Sequence, residues 1–238
     1  MLYSSAVNDV LCYEYLFGVQ SEWNTQQNYY LYELIRLQDA RTIRKIVSID
    51  DHTVLAFAGL TADARVLINK VRVEAQSFRL TMEDTPSVDY LARYVAKIQQ
   101  QYTQQGGVRP FGIATLMTGL GADPAHPLKP YLYQTDPAGT NSRWKAQAIG
   151  GRNAKSLREF LEKRYTADMT EAQAVRLAIQ VLLEVVDSGA KSIELVVVRE
   201  GGEKVNLEEA EMERIVTEIE AEQQESMAGG TAASAGDS

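Results

Sequence analysis

A chain of 238 residues that is 45% hydrophobic can bury one full-sized core, and its formal net charge of −8 comes with no concentrated basic run. That balance speaks against a nucleic-acid binder, and no apolar stretch approaches the roughly 18 residues of a membrane span. Cys12 is the single cysteine, which excludes an intrachain disulfide and a cysteine-based zinc cluster and suits a reducing compartment.

Residues 1–36 form an atypical segment of unclear structure, rich in tyrosine, with Trp23 and a polar patch at 24–28. Residues 1–10 have no basic n-region and carry Asn8 and Asp9, unlike a secretory signal. Patterning begins near residue 37 and holds through 225; residues 226–238 are small and polar, and disorder is expected there.

Within 37–225, strands are expected at 43–49 and 53–58, joined by a turn at Asp50-Asp51-His52. A helix at 61–80 follows, with Ala64, Ile68, Val71, Ala75 and Phe78 on one face. Thr85 is a plausible N-cap with Pro86 in the first turn of a second helix, whose stripe is Val88, Leu91, Val95, Ile98 and Tyr102. Gly106-Gly107 stops it, and 111–120 reads as a strand.

Residues 133–135 read as a strand, Asp136-Pro137-Ala138-Gly139 as a turn, and 144–149 as the returning strand. Pro137 pre-sets its φ, Gly139 permits a positive φ, and Asp136 can cap the reversal. Gly150 ends the hairpin and releases the chain into a helix over 153–164. Thr170 opens an apolar helix with Gly189 placed to end it, then a strand spans 193–198. Asn206 and Glu209 resemble a capping box for a glutamate-rich helix over 207–222. Clustered strands and clustered helices predict an α+β domain with helices covering antiparallel sheets.

Several segments share their order and wording with one family. They are Leu37-Gln38-Asp39, Arg44-Lys45-Ile46, Gly59-Leu60-Thr61-Ala62-Asp63-Ala64-Arg65, Gln101-Tyr102-Thr103-Gln104, Arg109-Pro110-Phe111-Gly112, the turn at 136–140, and 145–150. Together they resemble an alpha-type subunit of the 20S proteasome, and the detail at 37–39 and 155–165 is most like the eukaryotic alpha type-7 branch. The resemblance implies a four-layer α-β-β-α sandwich of the N-terminal-nucleophile hydrolase type, possibly lacking its first strands. It implies a noncatalytic structural subunit of the alpha ring, shaping substrate entry in ubiquitin-dependent protein degradation in cytoplasm and nucleus. Its partners would be neighbouring alpha subunits, the beta ring, and the C-terminal tails of regulatory ATPases or other activators. Neither a metal nor a cofactor is implied. The resemblance stops before Leu37, where a divergent isoform and a wrongly joined first exon compete and the second is favoured.

The resemblance also implies a pocket between subunits in which Lys45 pairs with the terminal carboxylate of an activator tail, with Gly59 and Leu60 as its wall. An ammonium and a carboxylate about 4 Å apart gain roughly 1 to 4 kcal/mol as shielding increases, and glycine lets a foreign backbone approach. Read without the family, Lys45 is a solvated strand lysine and Gly59 a turn residue.

An active threonine amidohydrolase of the same fold is the rival. It needs a threonine whose own freed amine acts as base. Thr25 lies in a polar context without a Gly-Thr junction, and Thr61, Thr103 and Thr140 are internal. His52 and His126 read as loop histidines, Asp50-Asp51 and Glu83-Asp84 as turn charges, and the glutamates of 208–225 as a solvated helix face. Gly119-Leu120-Gly121 lacks the lysine and helix of a phosphate loop. Asp136, Pro137, Gly139 and Gly150 are fold determinants.

Overall fold

The computed structural model describes residues 9–13, 45–122, 129–149, 154–166, 169–183 and 193–233. Five antiparallel strands form one sheet in sequence order: β2 (Ile46–Asp50), β3 (Thr53–Gly59), β4 (Ile113–Leu120), β5 (Pro130–Thr135) and β6 (Asn141–Trp144). A second sheet has β7 (Glu194–Val198) between β1 (Asp9–Tyr13) and β8 (Lys204–Asn206). The helices are α1 (Thr61–Met82), α2 (Val88–Gln104), α3 (Ala154–Arg164), α4 (Glu171–Leu183) and α5 (Glu209–Ala233).

Alternation along β3 and β7 explains the packing. Leu55 and Phe57 join Leu67, Ile68 and Val71 of α1 and Leu91 and Val95 of α2. Their neighbours Val54 and Ala56 point the other way, with Ile46, Leu116, Leu132 and the β7 residues Val196 and Val198. On β7 the remaining positions, Leu195 and Val197, pack against Val175 and Ile179 of α4 and Met212, Val216 and Ile219 of α5. Period-two side chains thus give each strand two apolar faces, as a sheet covered on both sides requires. Each fully buried aliphatic side chain contributes about 1.5–3 kcal/mol.

Several boundaries differ from the expectation for local reasons. The cap of α2 is Ser87, whose Oγ accepts from the Tyr90 amide, and not Thr85. The Ser87 backbone is extended and its side chain takes the first-turn amide, so the helix starts at Val88, beyond Pro86. The returning strand is Asn141–Trp144, not 144–149, because the Asp136 amide donates to Thr140 O and pairing resumes at once with Thr135 opposite Asn141. Residues 145–149 instead turn back: Gln147 Nε2 donates to Gln134 Oε1, and Ile149 packs on the apolar cluster between the sheets. Asn206 does not cap α5. It pairs with Val196 in β8, and Leu207 N donates to Leu195 O, so the helix begins at Glu209 with the Met212 amide on Glu208 O. That helix runs past 222 to Ala233, beyond the boundary set at 226, since 209–228 holds strong helix formers and no proline. Thr170 does cap α4: its Oγ1 accepts from Gln173 N while Gln173 Oε1 accepts from Thr170 N, a reciprocal capping box. Gly189 lies outside the described residues.

The hairpin turn is held from two sides. Asp136 Oδ1 accepts from the amides of Ala138 and Thr140, each at 3.0 Å. Gly139 has φ +89°, and a Cβ there would lie 2.4 Å from Gln100 Cβ and 2.8 Å from Ala96 O of α2. Gly107 also has positive φ, +81°, but a Cβ there would meet nothing within 4 Å. The two glycines therefore separate backbone strain from steric exclusion. Urea unfolding of Gly107→Ala should show a loss of about 1 kcal/mol, and Gly139→Ala about 3 kcal/mol or more. Equal losses would mean that α2 yields freely beneath the turn.

Candidate functional site at the open end of the β2–β3 hairpin

Lys45 immediately precedes β2, and its carbonyl accepts from Phe57 N at 3.3 Å. The register places Ile46 opposite Ala56, so Lys45 lies across from Phe57, two residues before Gly59. The pleat puts Lys45, Phe57 and Gly59 on one face. Lys45 is buried, at 7% exposure, and already engages a partner within the chain.

Gly59 ends β3 at φ +127°, and a Cβ there would stand 2.0 Å from Gly112 O. Only glycine lets these two backbones meet. Leu60 N then donates to Gly112 O at 3.0 Å, and Leu60 becomes the N-cap of α1 with no side-chain cap bond. Leu60 is 40% exposed, and a Cβ on Gly112 would press on Leu60 Cδ1 at 2.9 Å. The first bond inside α1 is Ala64 N to Leu60 O at 3.1 Å. The amides of Thr61, Ala62 and Asp63 precede it at the positive end of the helix dipole.

Asp63 sits in that first turn but faces the loop before β4. Its carboxylate takes both arms of Arg109, Nη1 to Oδ2 and Nη2 to Oδ1, at 2.7 Å each, and the Gly112 amide at 2.9 Å. The Arg109 fork pulls the Asp63 carboxyl below its ordinary range; burial opposes this and the Gly112 amide assists it. The guanidinium is raised in turn by the same pair.

Among the described residues this arrangement does not assemble a nucleophile with a base. Thr61 opens a helix, Thr103 Oγ1 donates to Gln100 O within α2, and Thr140 follows the hairpin turn. Thr25 and His126 lie outside the described residues. His52 Nδ1 is 3.4 Å from Gly202 O, across from the β7–β8 turn. Asp50 and Asp51 both bind Arg79 of α1, at 2.9 and 2.8 Å. Among the described residues no group of three or more His, Cys, Asp or Glu could hold a metal ion, and no helix is long and apolar enough to cross a membrane. The glutamates of α5 up to Glu222 are exposed, with Glu218 and Glu222 paired to Arg176 of α4.

Comparison with known proteins matches the proteasome subunit family to residues 34–198. The chain belongs to the proteasome subunit family. It is 56% identical over 189 residues to "Proteasome subunit alpha type-7" of Dictyostelium discoideum, covering 79% of this chain and 73% of the relative. It is 58% identical over 187 residues to the protein of the same name from Solanum lycopersicum, covering 79% and 70%. A "Proteasome subunit alpha type-7-like" protein of Macaca fascicularis is 53% identical over 192 residues, covering 80% and 75%.

Within this proteasome-family chain the structure brings Lys45, Gly59 and Leu60 to one end of the β2–β3 hairpin. Asp136, Pro137 and Gly139 lie apart from it, in the turn on α2, and Gly150 is outside the described residues. Sequence reasoning missed Asp63 and Arg109. They are separated by 46 positions and belong to no shared periodicity. Both lie in segments that carry the family resemblance, but nothing local in either segment pairs one with the other.

Because the folded Asp63 carboxyl lies below its ordinary value of 3.8, its stabilisation is fully present above that pH. It is lost as pH falls through the lower folded value. Asp63→Asn should cost about 1–2 kcal/mol at neutral pH. In parallel urea titrations the gap to wild type should close as the pH drops well below 3.8. A gap that stays constant into acid would show that the carboxylate charge is immaterial.

Proposed function

We propose that this chain is a noncatalytic structural subunit of the proteasome core particle, placed in its alpha ring and acting in ubiquitin-dependent protein degradation in cytoplasm and nucleus. The observation that carries this reading is the 56–58% identity to alpha type-7 relatives from slime mould and plants across 79% of the chain. Its fold would be the four-layer α-β-β-α sandwich of the N-terminal-nucleophile hydrolases. The division of β3 and β7 between three apolar clusters supports that layering.

Its partners would be neighbouring alpha subunits and the beta ring. One surface feature supports assembly: Val66, Val73 and Leu80 recur every seven residues on the outer face of α1 and are exposed, Leu80 to 85%. An exposed apolar stripe of this kind marks a contact surface. Internal threonines at the start of α1, within α2 and after the hairpin turn support the noncatalytic reading, since none offers a chain-terminal amine.

The same subunit would offer a docking pocket at Lys45, Gly59 and Leu60 for the C-terminal carboxylate of a regulatory ATPase or other activator. An incoming carboxylate there would exchange with the interaction that Lys45 already makes. Its position beside the first turn of α1 adds the helix dipole to the ammonium charge.

Core particles purified through a tagged beta subunit test both levels. The chain should co-purify in stoichiometric amount, and its absence from intact particles would defeat the alpha-ring assignment. Peptide mass spectrometry of those particles also decides whether residues 1–36 are carried by the working subunit. With Lys45→Ala incorporated, the affinity for an activator's C-terminal peptide should fall about tenfold, about 1.4 kcal/mol. Unchanged affinity would remove Lys45 from the pocket.

A further inference from the structure

We propose that the Asp63–Arg109 ion pair positions the wall of the docking pocket, holding the 109–112 segment against Gly59 and Leu60 at the spacing an incoming carboxylate requires. The inference rests on the pocket reading above and adds two residues to it. Neither would touch the docked tail; both act through the backbone of Gly112.

The geometry converges on that one residue. The Gly112 amide donates to Asp63 Oδ2 at 2.9 Å, and the Gly112 carbonyl accepts from Leu60 N at 3.0 Å. Both backbone groups of Gly112 are therefore spent on the α1 N-terminus. Gly59 approaches so closely that a Cβ would fall 2.0 Å from the same carbonyl. Asp63 sets where Gly112 sits, and Arg109 sets where the carboxylate of Asp63 points, through two bonds of 2.7 Å. Arg109 also donates to Pro110 O at 3.1 Å, which clamps the approach to Gly112 from its own side. A planar fork fixes orientation as well as distance, which a lysine ammonium cannot do.

Exposure separates this role from simple core stability. The Arg109 side chain is 64% exposed, against 12% for Asp63. Truncating Arg109, whose side chain is mostly in solvent, removes little core packing, and the stability it costs is smaller than that of losing the buried Asp63 carboxylate, which also holds the Gly112 amide. What it removes is the lateral hold on the Asp63 carboxylate and, through it, on Gly112. The consequence falls on the pocket wall.

The test uses assembled core particles carrying Arg109→Gln, Arg109→Lys, Asp63→Asn or Lys45→Ala, purified through a tagged beta subunit. The probe is a fluorescent octapeptide with the C-terminal sequence of a regulatory ATPase subunit, with its C-terminal amide as control. Fluorescence polarisation gives affinity, hydrogen exchange reads the Leu60 amide, and thermal unfolding reads the particle. Arg109→Gln should weaken the carboxylate peptide about five- to tenfold, speed exchange at Leu60, and lower the melting temperature less than Asp63→Asn does. Arg109→Lys should recover part of the affinity. Unchanged affinity in Arg109→Gln beside weakened binding in Lys45→Ala overturns the positioning role and leaves the pocket standing. Unchanged binding in Lys45→Ala sinks the pocket itself, and Leu60 exchange still decides whether the pair holds the segment. Failure of Arg109→Gln to enter particles, or a melting temperature lowered as far as by Asp63→Asn, makes the pair a folding element and overturns the proposal.

Discussion

The double burial of β3 is the constraint on which the rest of the molecule depends. Its residues from Thr53 to Ala58 are all buried, so both faces of the central hairpin must be apolar and both must be covered. Leu55 and Phe57 require α1 and α2 above them, and Val54 and Ala56 require the second sheet below. The second sheet inherits the same requirement, since β7 gives Val196 and Val198 to one side and Leu195 and Val197 to the other. A strand buried on two faces leaves no surface for chemistry along its length. Whatever the chain does must happen at strand ends and outer helix faces.

The strand ends are tied by charge. At the β2–β3 turn, Arg79 bridges Asp50 and Asp51, Arg72 donates to Ser48 O, and Lys204 Nζ donates to Asp50 O at 2.8 Å. One turn is thereby fastened to α1 and to β8 of the other sheet. Arg79 holds Asp51 below its ordinary carboxylate range, first through its hydrogen bond and then through its charge. At the opposite end of the same hairpin, Asp63 and Arg109 fasten α1 to the segment before β4. Helix α1 is thus pinned at both ends by arginine–aspartate pairs while its buried stripe fills the core.

The sequence made the long periodic elements readable and the tertiary ties unreadable. Helices α1 and α2 stood out because Ala64, Ile68, Val71 and Ala75, and Val88, Leu91 and Val95, repeat at helical spacing and are buried in the fold. The hairpin turn was legible because Asp136, Pro137 and Gly139 are strong local signals. Its returning strand was misplaced because Asn141, Ser142 and Arg143 are poor strand formers, and only the closed turn brings them into register with β5. Asn206 misled for the opposite reason: its capping signal was overridden by pairing with Val196. Lys45 and Gly59 could be brought together only by knowing the β2–β3 register, and Asp63 with Arg109 only by knowing that Gly59 meets Gly112.

That last contact explains why the hairpin end is both close-packed and accessible. Two glycine backbones, at 59 and 112, meet without side chains between them, so the chain can cross there with almost no lateral bulk. Compactness of this kind has a cost, because glycines are free to move unless something holds them. The holding is supplied from outside the glycines, by a buried carboxylate that takes one of their amides and an exposed guanidinium that orients the carboxylate. Rigidity and access are therefore assigned to different residues. Glycine opens the surface, and an ion pair at its rim keeps that surface in one shape.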